Sequence, residues 1–215
     1  MPRPKIHDAE LRARLLHRAA ELISAGGVSA LSLRTLAADA GTSTSAIYTL
    51  FGGKSGLLDA LFVEAFTRFG ASQRAVPVTA DPLADLTALG IAYRVHALAD
   101  PQLYGVLFGG ALASFEPDVA AQQLASTTFE PVLDAASRAV RAGLLRTDDA
   151  RLVATALWAT LHGLVSLELM GLLCAPGDQP DVIFAQAGQA NLQGWLRTSA
   201  TEAVSTPASI QRGPN

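Results

Sequence analysis

Apolar residues near the start of the chain recur at helical spacing, and paired glycines interrupt the pattern. Between Leu11 and Ile23 an apolar side chain recurs every three or four positions, which predicts a first helix over residues 8–25. Gly26 and Gly27 follow, and glycine readily adopts the left-handed conformation that ends a helix. The pattern therefore predicts an amphipathic helix that stops in a tight turn.

A second predicted helix follows this turn. Ser32 can serve as its N-cap, because a serine hydroxyl accepts a hydrogen bond from a free backbone N–H of the first turn. Its apolar positions are spaced i, i+3, i+4 and i+7, and they are Leu33, Leu36, Ala37 and Ala40. Gly41 ends this helix, and Ser43 can cap another one almost at once. Two short helices joined by a glycine turn are thus expected.

The third predicted helix has two chemically different sides. One side is apolar and comprises Ile47, Leu50 and Phe51. The opposite side carries hydroxyl groups and comprises Thr44, Ser45, Tyr48 and Thr49. Short hydroxyl side chains let a helix come close to DNA, where they can bond phosphate oxygens or base edges. The buried second helix, the glycine turn and the polar third helix together predict a helix-turn-helix.

The remainder of the chain is also predicted to be helical. No long stretch alternates apolar and polar residues, so the predicted fold class is all-α. Turn signals divide this part into helices over 54–71, 82–99, a short stretch after Pro101, a segment up to 142 with a break near Pro131, 149–173 and 181–198. Residues 199–215 are rich in Ser, Thr, Ala and Pro without periodicity, which predicts a disordered tail. The expected domains are a helix-turn-helix over 1–53 and a larger helical domain over 54–198.

The composition indicates a substantial hydrophobic core, and the charge distribution indicates a class of partner. Half of the 215 residues are apolar and 16% are charged, which suits helices packed around a substantial core. Residues 1–54 carry seven Lys or Arg against four acids, whereas the remainder carries nine against fifteen. A basic N-terminal module on an acidic body favours a polyanionic partner for that module.

The sequence also indicates a compartment. Cys174 is the only cysteine, which excludes an internal disulfide and fits a reducing environment. The N-terminus mixes acids and bases without an apolar segment, so no signal peptide is expected. The most apolar stretch, residues 152–173, contains Trp158, His162 and Glu168, which favours a buried helix, for example within a dimer, over a membrane span. A cytoplasmic protein without membrane contact is the expectation.

Residues 31–62 resemble the DNA-binding domain of the TetR family of bacterial repressors. The shared spacing comprises Gly41 at the turn, Tyr48 late in the third helix, Phe51, Lys54, and the pair Leu57 and Leu58 in the fourth. The resemblance implies base or phosphate contacts from Thr44, Ser45, Tyr48 and Thr49. It also implies contacts to the DNA backbone from Arg34, Ser43 and Lys54. Many family members have His or Tyr where Leu50 stands, and some have a larger side chain in place of Ala46, so the operator sequence is not predicted.

Residues 157–169 are similar to the segment that names the Trp–His–Gly subgroup of TetR-like C-terminal domains. The resemblance implies a ligand-responsive repressor that binds a pseudo-palindromic double-stranded DNA operator as a homodimer and is released by a small, apolar effector. Residues 54–198 then form the ligand-binding and dimerisation domain. Candidate effector-binding residues are Tyr93, His96, Phe108, Trp158 and His162. Trp158 and His162 share one helix face, and that face could equally belong to the core, where lone histidines on apolar faces usually pack.

Catalysis and metal binding have no support in the sequence. The Gly-Lys-Ser at residues 53–55 lacks the earlier glycine and the preceding strand of a phosphate-binding loop. The histidines and Cys174 show no metal-ligand spacing, so neither an enzyme nor a cofactor is expected. The alternative to a repressor is a ligand-binding or protein-interaction module whose helix-turn-helix no longer binds DNA. Ala46 and Leu50 leave the third helix with fewer polar side chains to contact bases, so that alternative stays open.

Overall fold

The computed structural model describes residues 5–108, 115–175 and 177–197, and these residues form ten α-helices. The helices are α1 (Lys5–Ala30), α2 (Leu33–Asp39), α3 (Thr44–Phe51), α4 (Lys54–Arg74), α5 (Pro82–Ala99), α6 (Pro101–Phe108), α7 (Val119–Thr127), α8 (Glu130–Arg141), α9 (Ala150–Leu169) and α10 (Pro180–Trp195). Within this part of the chain the only β-type pairing is an isolated bridge between Leu145 and Leu196. The all-α prediction is confirmed, and the predicted tail lies outside the described residues.

The turns among the first four helices have the predicted chemistry. Gly27, Gly41 and Gly52 adopt left-handed conformations, with φ of 69°, 64° and 76°. Helix α1 breaks at Gly26 and Gly27, and one short turn follows the break. The hydroxyls of Ser32 and Ser43 each accept a hydrogen bond from the backbone N–H three residues later, at 3.4 and 3.2 Å. Both N-caps are thereby confirmed.

Helix α9 ends at Leu169, four residues earlier than predicted. Gly171 has φ of 68°, and its N–H donates to the Glu168 carbonyl at 3.0 Å. The N–H of Leu172 donates to the Leu167 carbonyl at 2.8 Å. These two bonds form a Schellman motif, which ends a helix at a left-handed glycine. The apolar pattern continues past the end of the helix, so periodicity alone overestimates its length.

Helix α9 is long and apolar enough to cross a membrane by length and composition. Its residues Val153, Leu157 and Val165 are buried against other helices of the protein. Only 22% of its most apolar 18-residue window is buried, so the burial on most sides that the sequence predicts is not present in the single chain.

Three groups of buried side chains hold the helices together. The first lies under α1 to α4 and includes Leu103 and Val106 of α6. The second joins α5, α8 and α9, and the third joins α4, α5, α6, α9 and α10. Leu57 of α4 belongs to the first group and Phe69 of α4 to the third. Helix α4 therefore continues the N-terminal core beyond residue 53 and connects it to the rest of the protein.

Two ion pairs join the C-terminal helices. The buried carboxylate of Asp85 accepts hydrogen bonds from the hydroxyl and N–H of Thr79 and from Nη2 of Arg138, the last at 2.7 Å. The Thr79 bonds, followed by Arg138, lower the pKa of Asp85. Arg94 of α5 donates from Nε to Oε2 of Glu168 at 2.8 Å. These contacts set the positions of α5, α8 and α9 relative to one another.

Candidate nucleic-acid interface and internal cavities

Helix α3 turns its apolar side to the N-terminal core and its hydroxyl side to solvent. Ile47 is fully buried, and Leu50 and Phe51 are half-buried against the first core. The exposed side consists of Thr44, Ser45, Tyr48 and Thr49. The structure thus places all four predicted contact residues on one open surface, which we call the α3 face.

The α3 face retains both donors and acceptors. Within the described residues, the side chains of Thr44, Ser45 and Tyr48 make no hydrogen bond. Ser43 accepts from the Ala46 N–H, which leaves its own O–H free to donate. The Thr49 hydroxyl donates to the Ser45 carbonyl at 3.0 Å, which leaves its oxygen as an acceptor. Such a surface can bond phosphate oxygens and base edges.

The exposed Tyr48 ring is supported by backbone. Its exposed fraction is 59%. A Cβ at Gly53 would lie 3.3 Å from Cε1 of this ring, so the ring packs on the glycine. Gly53 has φ of 128°, a conformation that other residues rarely adopt. The pair Gly52 and Gly53 therefore both ends α3 and provides the surface on which Tyr48 rests.

Lys54 is predicted to contact the DNA backbone, but in the structure its side chain is directed toward the protein. The side chain is half-buried, and its Nζ donates to the carbonyls of Val28 and Leu31, each at 2.8 Å. The Val28 carbonyl belongs to the short turn that follows the break in α1, and the Leu31 carbonyl lies between α1 and α2; we call this segment the α1–α2 turn. Two of the three N–H groups are therefore used to join that turn to the start of α4. Spacing could not show this role, because the partners precede Lys54 by 26 and 23 residues.

Two arginines of α1 are paired with acidic residues of the protein. Arg18 binds Glu21 and Asp39 at 2.7 and 2.8 Å. Arg12 lies 3.9 Å from Glu64. In contrast, Arg34 of α2 is exposed and has no ion-pair partner among the described residues. Arg34 is thus available to bind a phosphate beside the α3 face.

A first cavity, with a volume of about 530 Å³, lies between helices α5, α9 and α10. It is lined mainly by apolar side chains of α5, α9 and α10, with Gln73 of α4 and Val132 of α8. Tyr93 and Trp158, two predicted ligand residues, belong to its wall. A cavity of this size and character can hold a drug-sized molecule.

A second cavity of about 370 Å³ lies beside α4, α7 and α8. Phe108, another predicted ligand residue, lines it together with Phe69 and Arg151, and the Arg151 guanidinium lies 5.9 Å from the centroid of the Phe129 ring. Trp158 and Val132 line both cavities. These two residues form the partition between them.

The predicted residue His162 belongs to a cluster of three polar rings. Its Nδ1 lies 2.8 Å from the Tyr104 hydroxyl and 3.2 Å from the Tyr93 hydroxyl, and the two hydroxyls are 3.1 Å apart. Burial lowers the pKa of His162, so the neutral ring, which can accept a hydrogen bond at Nδ1, is favoured. Burial, followed by the bond to Tyr104, raises the pKa of Tyr93.

The predicted ligand residues therefore fall into two groups. Tyr93, Phe108 and Trp158 line at least one of the two cavities. His162 lines neither of these cavities, and its bonds to two tyrosines support the core interpretation. His96 also lines neither, and its ring lies 5.5 Å from that of Phe69. Sequence reasoning missed Gln73, since a single glutamine at the end of a helix carries no distinguishing pattern.

Comparison with known protein families matches both parts of the chain. Residues 15–61 match the family described as bacterial regulatory proteins, tetR family. Residues 86–190 match the family described as tetracyclin repressor-like, C-terminal domain. The chain belongs to the TetR family. This TetR-family chain is accordingly a transcription regulator and not an enzyme. The descriptions do not name the Trp–His–Gly subgroup, so that assignment stays a prediction.

Solved structures share the fold of this TetR-family chain over most of its length. A protein of unknown function from Rhodococcus sp. RHA1 is 29% identical, with a TM-score of 0.71 over 87% of this chain and 96% of that one. The TetR family transcriptional regulator PfmR from Thermus thermophilus is 22% identical, with a TM-score of 0.71 over 84% and 97%. A TetR family transcription regulator from Marinobacter aquaeolei VT8 is 19% identical, with a TM-score of 0.75 over 90% and 100%. The search of curated proteins found no match.

Proposed function

We propose that this TetR-family protein is a ligand-responsive transcriptional repressor, which binds a pseudo-palindromic operator as a homodimer and is released by a small effector. The observation that carries the proposal is the exposed α3 face, held on its own core and joined by α4 to a domain that contains two apolar cavities. A hydrogen-bonding face on a short, rigidly supported helix suits the major groove.

In the proposed complex, the residues of the helix-turn-helix divide into two roles. Thr44, Ser45, Tyr48 and Thr49 contact base edges or adjacent phosphates. Arg34 and Ser43 contact the DNA backbone, because one is a free cation and the other lies at the N-terminus of α3. Lys54 acts on DNA binding through the α1–α2 turn that it holds, and its third N–H is the one left for the predicted phosphate contact.

The apolar residues of α3 do not favour the alternative function. Ala46 and Leu50 are both half-buried and pack against the N-terminal core. Their lack of polar groups is therefore explained by packing, and it supplies no specific support for a helix-turn-helix that has lost DNA binding.

Helices α9 and α10 are the proposed dimer interface. Both carry large apolar side chains that are exposed in the single chain, with exposed fractions of 49% for Leu152, 40% for Leu167 and 40% for Val182. Pairing these helices across a two-fold axis would cover them in a four-helix arrangement. The axis would place the two α3 faces toward half-sites about one helical turn of DNA apart, roughly 34–36 Å.

Two helices can transmit the state of the cavities to the α3 face. Helix α4 has 21 residues and is therefore about 30 Å long. Its first half packs in the N-terminal core, and Gln73 near its end lines the larger cavity. Helix α6 contributes Val106 to the N-terminal core and Phe108 to the smaller cavity. An effector that binds better when α4 and α6 are displaced lowers the affinity for DNA.

The experiment is operator binding by fluorescence anisotropy with the DNA that flanks the gene of this protein. Tyr48→Ala should weaken specific binding by about tenfold, the effect of one good contact, while the melting temperature is unchanged. Thr67→Ala, at an exposed position of α4, is the matched control and should bind like the wild type.

Leu167→Lys tests the dimer interface and should convert the dimer to a monomer in light scattering. Absence of specific DNA binding by the wild-type dimer would support the interaction-module alternative.

A further inference from the structure

Gln73 has an unusual position in the larger cavity. Its side chain is 5% exposed, and Nε2 is buried without a hydrogen-bond partner among the described residues. The same residue lines the cavity at the C-terminal end of α4. A buried amide that lacks a partner destabilises the protein, so such groups are uncommon in folded proteins and each needs an explanation.

Among the described residues of the cavity wall, Gln73 is the one with a side-chain polar atom that is fully buried and has no hydrogen-bond partner. Asp81, Thr87, Gln189 and Gln193 line the cavity but are exposed. The Tyr93 hydroxyl already bonds Tyr104 and His162. Gln73 is therefore the buried wall residue that can make a new hydrogen bond.

The charge of the wall restricts the ligand further. Among the described residues, no Lys, Arg or His lines this cavity, and the exposed Asp81 is its only carboxylate. A ligand carboxylate or phosphate would lose its hydration without gaining a counterion. The remaining wall is apolar, with Leu86, Leu161 and Phe184 among its members.

We infer that the larger cavity binds a neutral, mostly apolar molecule whose carbonyl or ether oxygen accepts a hydrogen bond from Nε2 of Gln73. The role of this molecule as the effector rests on the proposed function, whereas its chemical class rests on the cavity. Because Gln73 is the next-to-last residue of α4, the bond couples the ligand directly to the helix that reaches the α3 face.

Three probes of similar size separate the possible ligand classes. Butyrophenone carries a neutral acceptor, butylbenzene carries none, and 4-butylbenzoate carries an anion. Calorimetric titration of the full-length protein should show butyrophenone binding about tenfold more tightly than butylbenzene, as one hydrogen bond to a buried donor provides. The anion should bind most weakly.

Two variants locate the effect. Gln73→Leu keeps the volume and removes the donor, so the preference for butyrophenone should vanish while butylbenzene binds at least as well. The melting temperature of Gln73→Leu should rise, since an unpaired buried donor is replaced by an apolar group. Ala185→Phe, at an exposed position of the cavity wall, should weaken the binding of both neutral probes.

Several results would overturn the inference. They are tightest binding of the anion, no binding of the neutral probes to the wild type, an unchanged preference of Gln73→Leu for butyrophenone, or a lower melting temperature of that variant.

Operator binding measured with butyrophenone separates this inference from the proposed function. If the ketone binds through Gln73 and DNA affinity is unaffected, the cavity assignment stands and effector control by this cavity fails. If butyrophenone releases DNA equally well from Gln73→Leu and from the wild type, the repressor function stands and the inference fails.

Discussion

Replacement of Lys54 by methionine tests what the half-buried ammonium group does. Methionine retains an unbranched apolar stem, so the change removes mainly two charge-assisted bonds, each 2.8 Å long, to the carbonyls of Val28 and Leu31. Such bonds contribute about 1.5–3 kcal/mol each in general, and partial exposure lets water replace some of that. We expect a net loss of about 2 kcal/mol in the free energy of unfolding. For a chain of this length, the melting temperature should fall by about 4–8 °C.

The assay is thermal unfolding at fixed protein concentration, since dimerisation makes the melting temperature depend on concentration. Arg34→Met is the matched control, because Arg34 is an exposed cation without a partner among the described residues. It should unfold within about 0.5 kcal/mol of the wild type and reduce the salt dependence of operator binding by roughly one phosphate contact. An unchanged melting temperature of Lys54→Met, together with a salt dependence reduced like that of Arg34→Met, would show that Lys54 binds phosphate instead of the turn.

Four further variants test the packing and the electrostatics. Gly56→Ala should destabilise the protein by about 1–3 kcal/mol and weaken operator binding, because the new Cβ would lie 1.9 Å from the Phe51 carbonyl oxygen. Gly194→Ala in α10 meets no atom within 4 Å and should stabilise it by about 0.5–1 kcal/mol in the same melting assay. Asp85→Asn should destabilise at pH 7. This difference should shrink in acid, because a carboxylate with a lowered pKa stabilises the fold above its unfolded pKa and loses that effect as pH falls through the folded value. His162 also has a lowered pKa, so wild-type stability should decline as pH falls below about 6.5, and less steeply in His162→Leu; equal slopes would contradict the neutral ring.

Features that depend on a few neighbouring residues can be predicted from the amino-acid sequence. Ser32 and Ser43 act as N-caps, and Gly41 and Gly52 take left-handed conformations, because capping and turn geometry involve only a few consecutive positions. Helical periodicity likewise places Ile47 in the core and Tyr48 in solvent. The sequence also contains the signal for the end of α9, because Gly171 follows the last helical residue by two positions, but the apolar residues that continue past it conceal that signal.

Contacts between residues that are far apart in the sequence depend on how the helices pack. Lys54 bonds carbonyls more than twenty residues before it, and Tyr93 meets a histidine 69 residues later. Residues from five helices enclose the cavity beside Gln73, and each of those helices carries an apolar stripe that would serve equally well in a solid core. Periodicity assigns a side chain to the inside, but packing decides whether it fills the interior, bonds a neighbour or borders an empty volume, because that depends on how the helices cross.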